Sequence, residues 1–168
     1  YVGGGDWHAF VDLMNQKAAD LGCANTHFAN PCGLPAEDHY TTARDLATIM
    51  RAASTHPEFC EIAGAATWDL PATSGNDART LENTNLLIDP ESPVYMGEGV
   101  VTAGKTGFTD NAGRCLVVSA KGADLSLVGV VLGGSPYADA QGVTENYYDM
   151  RNMLNWGFGA WRTGDIVV

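Results

Sequence analysis

"GVVTAGKT", residues 99–106, matches the phosphate-loop pattern G-x-x-x-x-G-K-[ST] letter for letter, but its surroundings make it a strand. A phosphate loop needs an apolar strand before it and a helix starting at its lysine. Upstream, "DPESPVYMGE" (89–98) carries two prolines and three acids and reads as a loop. Within the motif, Val100, Val101 and Thr102 are β-branched and favour extended backbone. Downstream, "GFTDNAGRCLVVSAK" (107–121) has a turn cluster at Thr109–Gly113 and then a second β-rich run. Lys105, Thr106 and Gly107 therefore sit near the end of a strand entering a hairpin, no helix starts at Lys105, and nucleotide is not an expected ligand.

Working outward, the second half is mostly strand and the first half helical. Strands are expected over Gly99–Gly107, Arg114–Lys121 and Leu125–Leu132, joined by links short enough for antiparallel hairpins. Weaker β-prone runs, "ATWDLPA" (66–72) and "TLENTNLLI" (80–88), flank the polar "TSGNDAR" (73–79). Asp6 caps a first helix with Trp7, Phe10, Val11, Met14, Ala18 and Leu21 at helical spacing and Gly22 as its stop. A second opens near Thr42 with Asp45 in the capping-box place and Leu46, Ile49, Met50 and Ala53 on one face. Pro57 starts a short third helix that runs to Gly64. A closing helix spans about Val143–Trp156, with Tyr147, Met150, Leu154 and Trp156 inward. Between the first two helices, "NTHFANPCGLPAEDHY" (25–40) is long enough to be a structured loop with a job. Helices followed by an antiparallel meander give an α+β class, with helices covering a sheet.

Composition narrows the partners. With 168 residues and 45% hydrophobic content, the chain can bury one sizeable core. A net charge of −11, from 20 acids against 9 bases, leaves no basic stripe for nucleic acid. No apolar run of about 18 residues and no signal-peptide pattern occurs. Cys23, Cys32, Cys60 and Cys115 have neither C-x-x-C nor zinc-ligand spacing; at least two are expected to be buried free thiols, with room for one disulfide in an exported protein. His8, His27, His39 and His56 form no metal motif, so neither a metal nor any other cofactor is expected.

A Lys-Thr-Gly on a strand has a different mechanical use: the strand edge pairs with an extended substrate, ammonium and hydroxyl hold a carboxylate, and glycine leaves room for close approach. Together with "NTHFANPCGLPAEDHYTTARDLATIMRAA" (25–53) and "NTNLL" (83–87), "GKTGFTDNAGRCLVVSAK" (104–121) resembles the serine D-alanyl-D-alanine carboxypeptidases, the low-molecular-mass penicillin-binding proteins. The likeness spans nearly the whole chain. It implies the penicillin-binding and serine β-lactamase-like fold. It also implies peptidase chemistry, in which a serine of S-x-x-K attacks the bond before the terminal D-Ala of a peptidoglycan stem peptide and an acyl-enzyme forms. Carried over, Lys105 supplies catalytic positive potential, Thr106 hydrogen-bonds the substrate carboxylate, and Gly107 lets the substrate backbone lie against the strand. The implied partners are stem peptides ending in D-Ala-D-Ala and β-lactams.

The nucleophile is missing from this stretch. Ser54, Ser74, Ser92, Ser119, Ser126 and Ser135 all lack a lysine three residues on, and Lys17, Lys105 and Lys121 are the only lysines. "SGND" (74–77) fits S-x-N but lies where the family has a variable connection, so Ser74 and Asn76 read as turn residues. "YVGGGDWHAF" (1–10) resembles the region soon after the S-x-N segment. Residues 1–162 are thus expected to be the C-terminal portion of a catalytic domain, with 163–168 starting a linker to a further domain and a membrane anchor. The expected location is extracytoplasmic, in the cell envelope. The sheet edge along Leu125–Leu132 is expected to be exposed and to favour self-association. Cys32 stands where relatives often carry histidine, Phe108 varies among relatives and tunes substrate fit, and Cys115 reads as a packed small side chain. A D,D-endopeptidase or β-lactamase relative and a non-catalytic peptidoglycan-binding module are the rival readings.

Overall fold

A computed structural model describes residues 4–162. The hairpin that opened the sequence reading forms its centre. Strands β3 (Val101–Thr109), β4 (Gly113–Lys121) and β5 (Ser126–Gly134) follow β1 (Thr67–Leu70) and β2 (Arg79–Glu82) in the chain. They form an antiparallel sheet in the order β3-β4-β5. Gly113 closes the β3–β4 turn at φ +68°, and a Cβ there would sit 2.7 Å from the Gly134 carbonyl, so glycine is required on both counts.

Helix α4 (Glu145–Ala160) covers one face of this sheet. Its Tyr147, Met150 and Leu154 pack with Leu116, Val118 and Ala120 of β4, and Leu87, Val94 and Val143 complete the core. Gly129 admits the helix, because a Cβ there would lie 2.3 Å from the Met150 sulfur. The helix runs four residues beyond the expected end, and Trp156 is 65% exposed rather than inward. Its place on α4 follows the outer side, where Asn155 and Gly159 are also exposed.

Helices α1 (Trp7–Asp20), α2 (Ala43–Ala53) and α3 (Pro57–Ala63) have the expected caps: Asp6 accepts from the His8 amide and Thr42 from the Asp45 amide. Asp45 does not complete a capping box. Its buried carboxylate instead accepts from the Asn25 amide at 2.9 Å and the Thr26 hydroxyl at 2.8 Å, fastening the 25–40 loop to α2. That loop is ordered within itself by Asn30, whose Oδ1 accepts from the Gly33 and Leu34 amides, and by a bridge between His27 and Tyr40.

"TLENTNLLI" is only partly strand. Pairing with β1 ends at Glu82, and 83–88 turns inward as a loop held by its own asparagines. Asn83 Oδ1 accepts from the Asn85 amide, Asn85 Oδ1 from the Leu87 amide, and local bonds of this kind compete with a ladder. β1 and β2 make a separate two-stranded sheet, with Ser74 in the turn that joins them. All four cysteines are free, and only Cys23 is buried, so two or more buried thiols are not found. Among the described residues no helix is long and apolar enough to cross a membrane, and β5 pairs on one side only. The expected linker at 163–168 lies outside the described residues.

Candidate active site

Lys105, Thr106 and Gly107 occupy the middle of β3, paired in register with Val117, Leu116 and Cys115 of β4. The other edge of β3 has no strand partner among the described residues. Alternation sends Lys105 and Thr106 to opposite faces. Lys105 shares its side with Val117 and Val130, away from α4, and is exposed. Its ammonium donates to the Thr106 carbonyl, so it lies along the strand's own backbone.

Thr106 points to the α4 side, toward the "NTNLL" loop. Its hydroxyl is 2.7 Å from that of Thr84. Thr84 is anchored in turn, because the Tyr147 hydroxyl donates to its carbonyl at 2.7 Å. Asn83 holds the start of the loop by donating to the Ala65 carbonyl at 2.9 Å. Burial pushes the Tyr147 phenol above its ordinary value, keeping it a neutral donor.

The two glycines of this strand are small for different reasons. A Cβ on Gly104 would lie 2.5 Å from Asn85 Nδ2 and 3.2 Å from Val118 Cγ1, so the fold itself demands glycine there. A Cβ on Gly107 would meet only Cys115 Cβ at 3.9 Å, an ordinary contact. Among the described residues nothing accounts for glycine at 107. The Cys115 thiol donates to the Ala112 and Gly113 carbonyls at 3.5 and 3.7 Å, as a packed side chain does.

Sequence reading missed Thr84, Tyr147 and Arg114 as neighbours of the strand. Arg114 stacks its guanidinium 4.3 Å from the centre of the Phe108 ring, directly across the ladder. The signal for Arg114 was present: counting back through the tight turn pairs it with Phe108, two residues from Thr106. For Thr84 and Tyr147 the contacts span 22 and 63 residues and carry no local pattern. Among the described residues no cluster of histidine, cysteine or carboxylate groups is able to hold a metal ion.

A helix-covered antiparallel sheet carrying Lys-Thr-Gly on an open strand is the fold of the DD-peptidases. The structure matches a crystal structure of a D-alanyl-D-alanine carboxypeptidase from Mycobacterium tuberculosis with a TM-score of 0.78 at 29% identity, over 96% of this chain and 58% of that one. It matches the Streptomyces DD-transpeptidase with a TM-score of 0.70 at 27% identity, over 90% and 55%. The family model for D-alanyl-D-alanine carboxypeptidase matches residues 1–136, and the chain belongs to that family. It is 34% identical to D-alanyl-D-alanine carboxypeptidase DacF of Bacillus subtilis, over 95% of this chain and 37% of that protein. With a D-alanyl-D-alanine endopeptidase of Escherichia coli it shares 33% identity, over 90% and 45%. The chain thus spans less than half the length of these two curated relatives.

Proposed function

We propose that this chain is the Lys-Thr-Gly portion of a serine-type D-alanyl-D-alanine carboxypeptidase that trims peptidoglycan stem peptides through an acyl-enzyme. The observation that supports it most is the combination, among the described residues, of a β3 edge without a strand partner and a glycine at 107 that no contact requires. An extended peptide adds to such an edge through main-chain hydrogen bonds, and a side chain at 107 would stand in its way. Lys105 provides positive potential next to the serine, and Thr106, oriented by Thr84, donates to the substrate carboxylate. The attacking serine and its S-x-x-K lysine belong to a segment upstream of Tyr1. β-Lactams acylate the same serine. Such a substrate puts the protein's place of action outside the cytoplasm, in the cell envelope. The exposed side of β5 is a site of self-association wherever no other segment covers it.

Intact mass after exposure to benzylpenicillin tests this, on the 168-residue chain and on a version extended upstream. An adduct on the extended protein alone is expected. An adduct on the short chain would point to one of its own serines, Ser74 first, and no adduct on either would favour a non-catalytic peptidoglycan-binding module. A D,D-endopeptidase is the second reading, because relatives of that name match as closely as the carboxypeptidases.

A further inference from the structure

The β1–β2 hairpin carries apolar surface that the Lys-Thr-Gly reading does not use. Trp68 and Leu81 are cross-strand partners, 44% and 47% exposed, and Ile62 of α3 is 65% exposed. Together with Ala65, Glu82 and Asn83 they line an open groove of about 290 Å³. Single apolar residues scattered on a surface are ordinary, but three large ones converging on one concave place mark a binding surface.

Two contacts fix this groove beside β3. Gly64, between Ile62 and Ala65, packs so closely on the strand that a Cβ there would lie 2.5 Å from the Thr102 carbonyl oxygen. At the other end Asn83 donates to the Ala65 carbonyl at 2.9 Å, and Thr84, the next residue, meets Thr106 hydroxyl to hydroxyl at 2.7 Å. The groove therefore begins one residue, about 3.8 Å of chain, from the contact with Thr106. Thr84 is exposed, so the way from Thr106 to the groove runs along the surface.

The lining decides what enters. Ile62, Trp68 and Leu81 offer contact to an aliphatic chain, and Glu82 is the charged residue beside them. A carboxylate next to Glu82 is repelled, so the groove does not compete with Thr106 for an anion. A residue whose carboxylate is held at Thr106 sends its side chain, and not its charge, across Thr84. An alanine methyl does not cross that residue, whereas an unbranched chain of three or four carbons does.

We propose that the groove between α3 and the β1–β2 hairpin binds the side chain of the residue that leaves on cleavage, so that a leaving D-residue with an unbranched chain of three or more carbons is held more tightly than D-alanine. Trp68, Leu81 and Ile62 then determine specificity. This rests on the reading that Thr106 holds the carboxylate of the leaving residue. It also deepens the second reading: an endopeptidase whose leaving residue is attached to another stem peptide through its side chain needs such room, and a carboxypeptidase releasing alanine does not.

The probes are N-acetyl-D-norleucine and N-acetyl-D-alanine, which share the carboxylate and differ in a four-carbon against a one-carbon side chain. They are titrated into the 15N-labelled chain and into the upstream-extended protein, following the Trp68 indole N–H and the Thr106 amide. Both acids are expected to shift Thr106, and only the norleucine to shift Trp68. The norleucine should bind about 10-fold more tightly, since an open groove covers its added methylenes only in part. Trp68→Ala should bring the norleucine down to the affinity of the alanine, and Leu81→Ser should remove part of the difference. Equal affinity of the two acids, or a Trp68 indole that does not respond, needs no variant and would overturn the proposal. So would a preference that survives Trp68→Ala, or one lost in the extended protein, where the upstream segment would then fill the groove. If the preference runs through Trp68 but benzylpenicillin labels no form of the protein, the groove stands and the peptidase reading falls. Labelling without any preference removes the groove and leaves that reading.

Discussion

The hydroxyls of Thr106 and Thr84 lie 2.7 Å apart, tying the Lys-Thr-Gly strand to a loop 22 residues earlier in the chain. Thr84 is itself exposed, so this bond orients Thr106 more than it stabilises the fold. Thr84→Val should lower the melting temperature by no more than a few degrees, since an exposed hydrogen bond contributes about 0.5–1.5 kcal/mol. In the upstream-extended protein it should slow benzylpenicillin acylation several-fold. A change confined to the melting temperature would mean that the contact only packs the loop.

Gly104→Ala and Gly107→Ala, three residues apart, should behave differently. The first drives a methyl to 2.5 Å from Asn85 Nδ2 in a buried site and should destabilise by about 2 kcal/mol or more. The second has open space and should change stability by less than about 0.5 kcal/mol, while blocking the β3 edge against substrate. Thermal melts with acylation rates separate the two. A Gly107→Ala protein that acylates normally would remove the steric argument for that glycine.

Asp45 fastens the 25–40 loop to α2 through two accepted hydrogen bonds on a 5% exposed side chain. Asp45→Ala leaves the Asn25 amide and Thr26 hydroxyl without that acceptor and should cost about 2–4 kcal/mol in urea denaturation. A loss below about 1 kcal/mol would mean that water replaces the carboxylate.

Tyr147 gives the fold an alkaline limit. Burial raises its folded-state value above the ordinary 10.0, so the folded protein holds this proton more tightly than the unfolded one. The contribution is complete below about pH 10 and is lost as pH rises through the folded-state value. Tyr148 titrates in the same direction because it donates to Asp139, and that bond lowers Asp139 below 3.8, so its share is lost as pH falls through that lower value. Melting temperature against pH should be flat from about 5 to 9 as far as these groups decide it, and fall above 10. Tyr147→Phe should be less stable at pH 7, by about 1 kcal/mol for the lost bond to Thr84, but decline less steeply above pH 10. An identical alkaline slope in the variant would contradict this.

What could be read from sequence follows from the range of each interaction. The β3–β4–β5 meander was legible because β-branched alternation and short turns are local signals, as were the caps Asp6 and Thr42. Lys105, Thr106 and Gly107 were singled out as candidates from a contiguous motif and a resemblance. The end of β2 at Glu82 was not legible, since "TLENTNLLI" has strand-like composition and only the asparagine side chains, bonding two residues along, turn it into a loop. Asp45 had the spacing of a capping box but was claimed by the loop 20 residues before it. Trp156 was misplaced because the apolar pattern of α4 is weak at its C-terminal end, where glycines alternate with aromatics. Arg114 was read only as the first residue of a strand, and the register places it across from Phe108.

The most direct measurement is release of D-alanine from diacetyl-L-lysyl-D-alanyl-D-alanine by the upstream-extended protein, beside its Lys105→Ala variant. The account predicts one D-alanine per peptide cleaved, with kcat/KM lowered on the order of 100-fold or more in the variant. Penicillin labelling without D-alanine release, or release that does not depend on Lys105, would contradict it.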